Sequence, residues 1–221
     1  MNYQAAVFDM DGLLLDTEKV CMQAFREACQ FLSLPMLEDV YLGIIGSNAA
    51  GIEQVLRSGY GPELDYETLR HEWMKRYHPI VEHQAIPVKT GVIDLLTWLK
   101  SQSIPVAVAT STPRELAKTK LKLAGLLDYF EHLSTGCEVK NGKPDPEIFL
   151  LAAERLNVRP ENCLAFEDSS NGVRSGIAAG MQVYQVPDLV KPCADIIALG
   201  HNISSSLSNV LAQLQARQAA Q

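Results

Sequence analysis

Residues 5–18 read AAVFDMDGLLLDTE, a short apolar run that passes straight into two aspartates one residue apart and then a glycine. Ala5–Phe8 fits a buried strand, and Asp9 and Asp11, two positions apart, put both carboxylates at the same carboxyl-terminal mouth in extended geometry. Gly12 lets the chain turn away sharply. Such a pair suits a divalent metal, and equally a nucleophile beside a general acid/base. Asp and Gly after a strand are also ordinary turn chemistry, and either aspartate could cap the next helix. The rest of the chain decides for a site, because three further apolar strands end in polar punctuation in the same way.

Outward from that strand, Asp16-Thr17 opens a helical pattern with Val20, Cys21, Ala24, Phe25, Ala28, Cys29 and Leu32 on one stripe, ending before Pro35. More helical patterns follow at residues 50–57 and 67–82 with no obvious buried strand, so this block reads as a helical insertion. From Lys89 the texture changes. A helix is predicted at 91–102, then a strand at 105–109 running into Thr110-Ser111-Thr112. Thr112-Pro113-Arg114-Glu115 has the form of a capping box with proline at the first helical position, followed by the stripe Leu116, Leu121, Ala124. A weaker strand at 132–134 precedes Lys143-Pro144-Asp145-Pro146, where Asp145 is the expected N-cap of a helix facing Ile148, Phe149 and Ala152 inward. A strand at 163–166 runs into Glu167-Asp168-Ser169-Ser170, and a helix rich in Gly and Ala leads to a last strand at 182–186. Alternating strands and helices with short connections predict an α/β fold, a mainly parallel Rossmann-like sheet covered on both faces, with ligands at the carboxyl ends of the strands.

Composition narrows the function. The chain has 221 residues, no repeat, a formal net charge of −7 and a pI near 5.2, which argue against nucleic acid or an anionic membrane as partner. Five cysteines without a C-x-x-C pair indicate neither a disulfide framework nor a thiolate zinc site. With no signal-like N-terminus and no run of 18 apolar residues, a cytoplasmic protein is expected. A monomer is the default.

Asp9-Met10-Asp11-Gly12, Thr110 after the second strand, Lys143 in Gly142-Lys143-Pro144-Asp145-Pro146, and Glu167-Asp168 after the fourth strand occur in the order of four known motifs. With them the chain resembles the haloacid dehalogenase-like hydrolase superfamily, in its phosphatase and beta-phosphoglucomutase branch with a helical cap after the first strand. The resemblance implies a core of residues 1–17 and 88–221, and a cap of 18–87 hinged near Asp16-Thr17 and residues 87–90. It further implies hydrolysis of small phosphate monoesters, sugar phosphates above all, with Asp9 as nucleophile and Asp11 as general acid/base. Thr110, the Ser111 backbone N–H and Lys143 would hold the phosphoryl group. Mg²⁺ would be bound by Asp9, the Asp11 carbonyl and Asp168, with Glu167 making an outer or water-mediated contact. The cap loop 43–49, through Gly46, Ser47 and Asn48, would contact the substrate, or would be a plain helix-to-helix turn.

Two rivals stay on the same fold. A phosphomutase needs a cap cation for a second phosphate; Cys21 and Asn48 or Ala49 stand where a histidine and an arginine are expected, leaving Lys75 or Arg76 as substitutes. A non-catalytic binding protein would have lost Asp9, Asp11, Lys143 or Asp168, and all four are present. Phosphonate hydrolysis would require Lys19, the lysine of the first cap helix, as a Schiff base. His71-Glu72-Trp73-Met74-Lys75 begins like a zinc-protease motif but has lysine for the second histidine. Gly172, Gly176 and Gly180, spaced by four, are expected to let a helix pack closely on the sheet.

Overall fold

The computed structural model describes residues 3–47 and 49–219. In chain order it contains β1 (Ala5–Phe8), α1 (Thr17–Phe31), α2 (Glu38–Leu42), α3 (Ala49–Tyr60), α4 (Tyr66–His83), α5 (Val92–Ser101), β2 (Val106–Thr110) and α6 (Arg114–Leu123). There follow β3 (His132–Thr135), α7 (Glu147–Arg155), β4 (Cys163–Glu167), α8 (Ser170–Ala178), β5 (Gln182–Gln185), α9 (Ala194–Ile197), β6 (Asn202–Ile203) and α10 (Leu207–Ala219). The strands pair in the order β3-β2-β1-β4-β5-β6, and every pairing is parallel. No helix is long and apolar enough to cross a membrane among the described residues.

Period-two alternation along β1 shows why both faces are covered. Ala6 and Phe8 enter one apolar cluster with Leu95, Leu99, Leu121 and Val210 from α5, α6 and α10. Ala5 and Val7 enter another with Phe149, Ala152 and Val173 from α7 and α8. Phe8 stacks on Phe166 of the neighbouring strand with ring centroids 4.5 Å apart, a contact of about 0.5–1.5 kcal/mol beyond its buried area. A third cluster lies among α1 to α4, where Phe25, Tyr41 and Trp73 pack edge to face or tilted around Leu56 and Leu69. The chain leaves the sheet and returns to it side by side. Asp16 N–H donates to Pro87 O at 2.9 Å and Lys89 N–H to Leu14 O at 3.0 Å, with Leu15 and Val88 bridged antiparallel.

Several local expectations are corrected. α6 begins at Arg114 with Pro113 before it and no side-chain cap, because the Thr112 hydroxyl is directed to Asp11 instead. α7 begins at Glu147, two residues beyond the expected N-cap; Asp145 accepts from Glu147 N–H, while the Glu147 carboxylate accepts from Lys140 and Asn141 N–H. The three spaced glycines do different things. Gly172 and Gly176 both lie against sheet side chains, where a Cβ would sit 1.8 Å from the Glu167 carboxyl carbon and 2.9 Å from Val183 respectively, whereas Gly180 has φ +81 and open space.

At the far edge, Glu138 follows β3 and accepts from Arg114 of α6 at 2.6 Å, Arg155 of α7 at 2.7 Å, Thr135 N–H at 3.0 Å and Thr135 Oγ1 at 2.7 Å. One carboxylate thus ties a helix from each face to the edge strand. Hydrogen bonds from Arg155 outweigh its partial burial, and with those from Arg114 and Thr135 they hold its pKa well below the usual 4.5. A depressed carboxylate stabilises the fold above its unfolded pKa and loses that effect as the pH falls through the folded one. Glu138→Gln is therefore expected to lower stability by about 1–3 kcal/mol at neutral pH. Denaturation of both proteins across pH should show the difference closing at acid pH, below about 4.

Candidate active site

The sheet order places β1 between β2 and β4, so the carboxyl ends of these three strands open into one cleft. Asp9 continues the ladder past β1, its N–H donating to Phe166 O at 2.9 Å, and its side chain is buried. Gly12 has φ +82, and a Cβ there would lie 2.3 Å from Asp168 Oδ2, so the turn after β1 requires glycine for conformation and for space.

Lys143 crosses to this point from the loop before α7. Its ammonium donates to Asp9 Oδ1 at 2.5 Å, Glu167 Oε1 at 2.5 Å and Ala109 O at 3.0 Å, which uses all three donors. The other Glu167 oxygen accepts from Asp168 N–H, Ser169 N–H and Ser169 Oγ at 2.9, 2.9 and 3.0 Å, anchoring the start of α8. Gly172→Ala is expected to displace Glu167 from Lys143 and cost several kcal/mol, of the order of 2–4, measured by denaturant titration.

Asp9, Glu167 and Asp168 each offer an oxygen, and these atoms lie within 4.8 Å of one another. Among the described residues, no side chain or N–H donates to the Asp168 carboxylate. Burial, followed by repulsion from Glu167 and Asp9, raises Asp168 well above the carboxylate range. Burial likewise pushes Asp9 up to about 8, with Lys143 opposing and Glu167 and Asp11 reinforcing. Carboxylates gathered in a low dielectric with less positive charge than negative hold either a proton or a cation. The oxygen-only donor set fits Mg²⁺.

Asp11 is braced from the second strand and the helix beyond it. Thr112 Oγ1 donates to Asp11 Oδ2 at 2.7 Å and Lys120 Nζ to Oδ1 at 2.8 Å; Thr110 Oγ1 lies 3.5 Å from Oδ2 and accepts Thr112 N–H at 3.1 Å. Burial alone would raise the Asp11 pKa, but Lys120, with hydrogen bonds from Thr112 and Thr17, brings it below its ordinary value.

A cavity of about 400 Å³ opens above this constellation, lined by Asp9, Asp11, Thr110, Ser111, Lys143, Glu167 and Asp168 from the sheet side, and by Glu18, Ile45, Gly46 and Ser47 from the helical side. The expected core residues and Gly46 and Ser47 therefore meet; Asn48 lies outside the described residues. Asn171 donates from its amide to Gly46 O, holding the loop against the start of α8. Lys75 and Arg76 do not reach the cavity: both pair with Glu72, at 3.2 and 2.5 Å, and Arg76 lies over Phe31. Lys19 is exposed and pairs with Asp16 at 2.6 Å. Sequence reasoning missed Glu18, Lys120, Thr112 and Tyr77. Glu18 is pushed up to about 7, by burial first and then by Asp11 and Asp188.

A family model described as haloacid dehalogenase-like hydrolase matches residues 3–180. A phosphorylated carbohydrates phosphatase of Thermotoga maritima is 38% identical over 182 residues, 81% of this chain and 82% of that one. A fructose-1-phosphate phosphatase of Escherichia coli is 31% identical over 84% of this chain and 97% of its own. Among solved structures, CbbY of Rhodobacter sphaeroides in complex with phosphate superposes with a TM-score of 0.73 at 26% identity, covering 93% of this chain and 95% of that one.

Proposed function

The chain belongs to the haloacid dehalogenase-like hydrolase family, and on that premise we propose that it is a Mg²⁺-dependent phosphatase of small phosphate monoesters, chiefly sugar phosphates. The observation that carries this reading is the buried Asp9–Lys143 pair beside Asp168 at the mouth of the sheet. The names of the relatives above support the substrate class.

Asp9 attacks phosphorus in line, forming an aspartyl-phosphate as the ester P–O bond breaks, and the departing oxygen takes a proton from Asp11. Asp11 then takes a proton from a water, whose oxygen displaces Asp9 from phosphorus and releases inorganic phosphate. Lys143 lies beside the nucleophile, where its charge meets the phosphoryl oxygens; the Thr110 hydroxyl and the Ser111 N–H serve the same group. Asp9, the Asp11 carbonyl and Asp168 would hold Mg²⁺, which when bound would supply positive charge against the repulsion between an anionic nucleophile and a phosphate dianion. Glu167 orients Lys143 and the start of α8.

The block of residues 18–87 acts as a cap on the core of 1–17 and 88–221, moving about the paired connections at Leu15 and Val88. Its closure excludes water, and Gly46 and Ser47 contribute to substrate choice.

Phosphate release from a panel of phosphorylated sugars, polyols, nucleotides and glycolate, with Mg²⁺ and with chelator, tests the reading. Metal-dependent release that is strongest on a sugar or polyol phosphate is expected. A folded protein inactive on the whole panel would refute it, and conversion of glucose 1-phosphate to glucose 6-phosphate would replace it with a mutase.

A further inference from the structure

Lys120 is a buried charge that the proposed mechanism leaves unused. It sits in the middle of α6 with 2% of its side chain exposed, and a lysine is almost never buried so far without a partner. Its ammonium is shared between Asp11 Oδ1 at 2.8 Å and the Tyr77 hydroxyl at 3.0 Å, and lies 5.4 Å from the Tyr77 ring centre. Tyr77 belongs to α4, in the helical block, whereas Lys120 belongs to the sheet-covering layer. The contact therefore joins the two parts of the chain at the carboxylate.

The geometry around Asp11 shows what this contact controls. Asp11 borders two cavities: the one it shares with Asp9, and a second of about 400 Å³ between α1, α4 and α6, where Cys21, Met74, Tyr77 and Leu116 face it. A carboxylate has about four acceptor sites. Lys120 donates to Oδ1 and Thr112 to Oδ2, where the Thr110 hydroxyl also lies at 3.5 Å, so Lys120 is the cation on this carboxylate among otherwise neutral donors. Without Lys120, hydroxyl contacts from Thr112, Thr110 and Thr17 would remain but no cation would hold the carboxylate, and Asp11 would be freer to turn into the second cavity.

We propose that Lys120 is a positioning residue that aims Asp11 at the reacting group, and that Tyr77 makes this aim depend on α4 lying against α6. This rests on the reading of Asp11 as the general acid/base.

The test uses the full chain with Mg²⁺ and p-nitrophenyl phosphate as probe, and the variants Lys120→Met, Tyr77→Phe and Asp11→Asn, singly and combined. Lys120→Met should lower kcat about 10- to 100-fold with KM changed less than about 3-fold, and Tyr77→Phe should lower kcat in the same direction by about 2- to 5-fold. In the Asp11→Asn background, Lys120→Met should lower kcat no further than about 2-fold, since there is no acid/base left to aim, whereas damage to packing would add in full. A crystal structure of Lys120→Met should show the Asp11 carboxylate turned away from Asp9. If Lys120→Met does not fold, Tyr77→Phe, which removes one hydroxyl, carries the comparison with the same cycle against Asp11→Asn. Wild-type kcat in the variant, a loss that adds to that of Asp11→Asn, or an unmoved Asp11 would each overturn the proposal while leaving the acid/base reading intact. Wild-type turnover by Asp11→Asn would instead remove the premise.

Discussion

Asp9→Asn will lower phosphate release by at least about 10⁴-fold, and in chelator it will unfold at a denaturant concentration no lower than the wild-type protein. The two halves of this result have one cause. Asp9 is buried within 4.8 Å of oxygens from Glu167 and Asp168, and the fold itself disfavours its charge, as its raised proton affinity shows. On the proposed reading, the nucleophile thus sits at an electrostatic disadvantage that a bound cation would relieve. Asparagine keeps the shape and removes the repulsion. Lys143 retains Glu167 at 2.5 Å and Ala109 O at 3.0 Å, and the amide oxygen of the variant can still accept from it. Chemistry disappears because an amide cannot form the acyl phosphate. The pair of measurements, kcat on a sugar phosphate and a denaturant midpoint without metal, separates a lost nucleophile from a lost fold; residual turnover above about 1% would sink the assignment of Asp9.

The parallel sheet was readable because its strands are short apolar runs that end in polar residues, and that contrast survives without any tertiary information. β1 and β4 show it well, each buried along its length and followed at once by carboxylates. β6 was not readable, since Asn202–Ile203 is two residues long and its pairing with β5 is dictated by the sheet edge it meets. The capping box at Thr112 failed for a related reason. Thr112 has the right neighbours for a cap, but a half-buried carboxylate 101 positions earlier in the chain competes for its hydroxyl at 2.7 Å. A local motif predicts a local partner, and at a converging site the partner is remote.

The candidate site divides in the same way. Asp9, Asp11, Thr110, Lys143 and Asp168 lie at strand ends or in loops, where a polar residue stands out against an apolar run. Lys120 lies on a helix whose sequence, RELAKTKLKL, carries three lysines, and there a lysine reads as a solvated face. The available signal was its position: 120 falls beside Ala117, Leu121 and Ala124 on the inward stripe, while Lys118 and Lys122 do not. A lysine on an apolar stripe requires a carboxylate opposite it. Glu18 and Tyr77 gave no comparable sign, because only the meeting of α1, α4 and α6 around Asp11 brings Tyr77 to Lys120 and sets Glu18 against the Asp11 charge.

Lys143→Met should produce the largest loss of stability of any single change in the cleft, about 3–5 kcal/mol in chelator, together with a fall in kcat of at least about 10³-fold. Removing the ammonium leaves Asp9 and Glu167 without the cation that each contacts at 2.5 Å, and Asp168 beside them has no donor of its own among the described residues. Three buried carboxylates must then take up protons or separate. If a divalent cation belongs at this cluster, added Mg²⁺ should recover part of the lost stability and leave kcat low, because metal replaces the missing charge but not the donor aimed at the phosphoryl oxygens. Lys143→Arg should fail as well. The site is built for one compact ammonium that points its three protons at Asp9, Glu167 and Ala109 O, with the Phe149 ring centre 5.0 Å away, and a planar guanidinium cannot satisfy those directions in the same space. Denaturant titrations of both variants with Mg²⁺ and with chelator, read beside kcat, check each part. A metal-free Lys143→Met as stable as the wild type would mean that the carboxylates are neutral in the folded protein and that the cluster does not seek a cation.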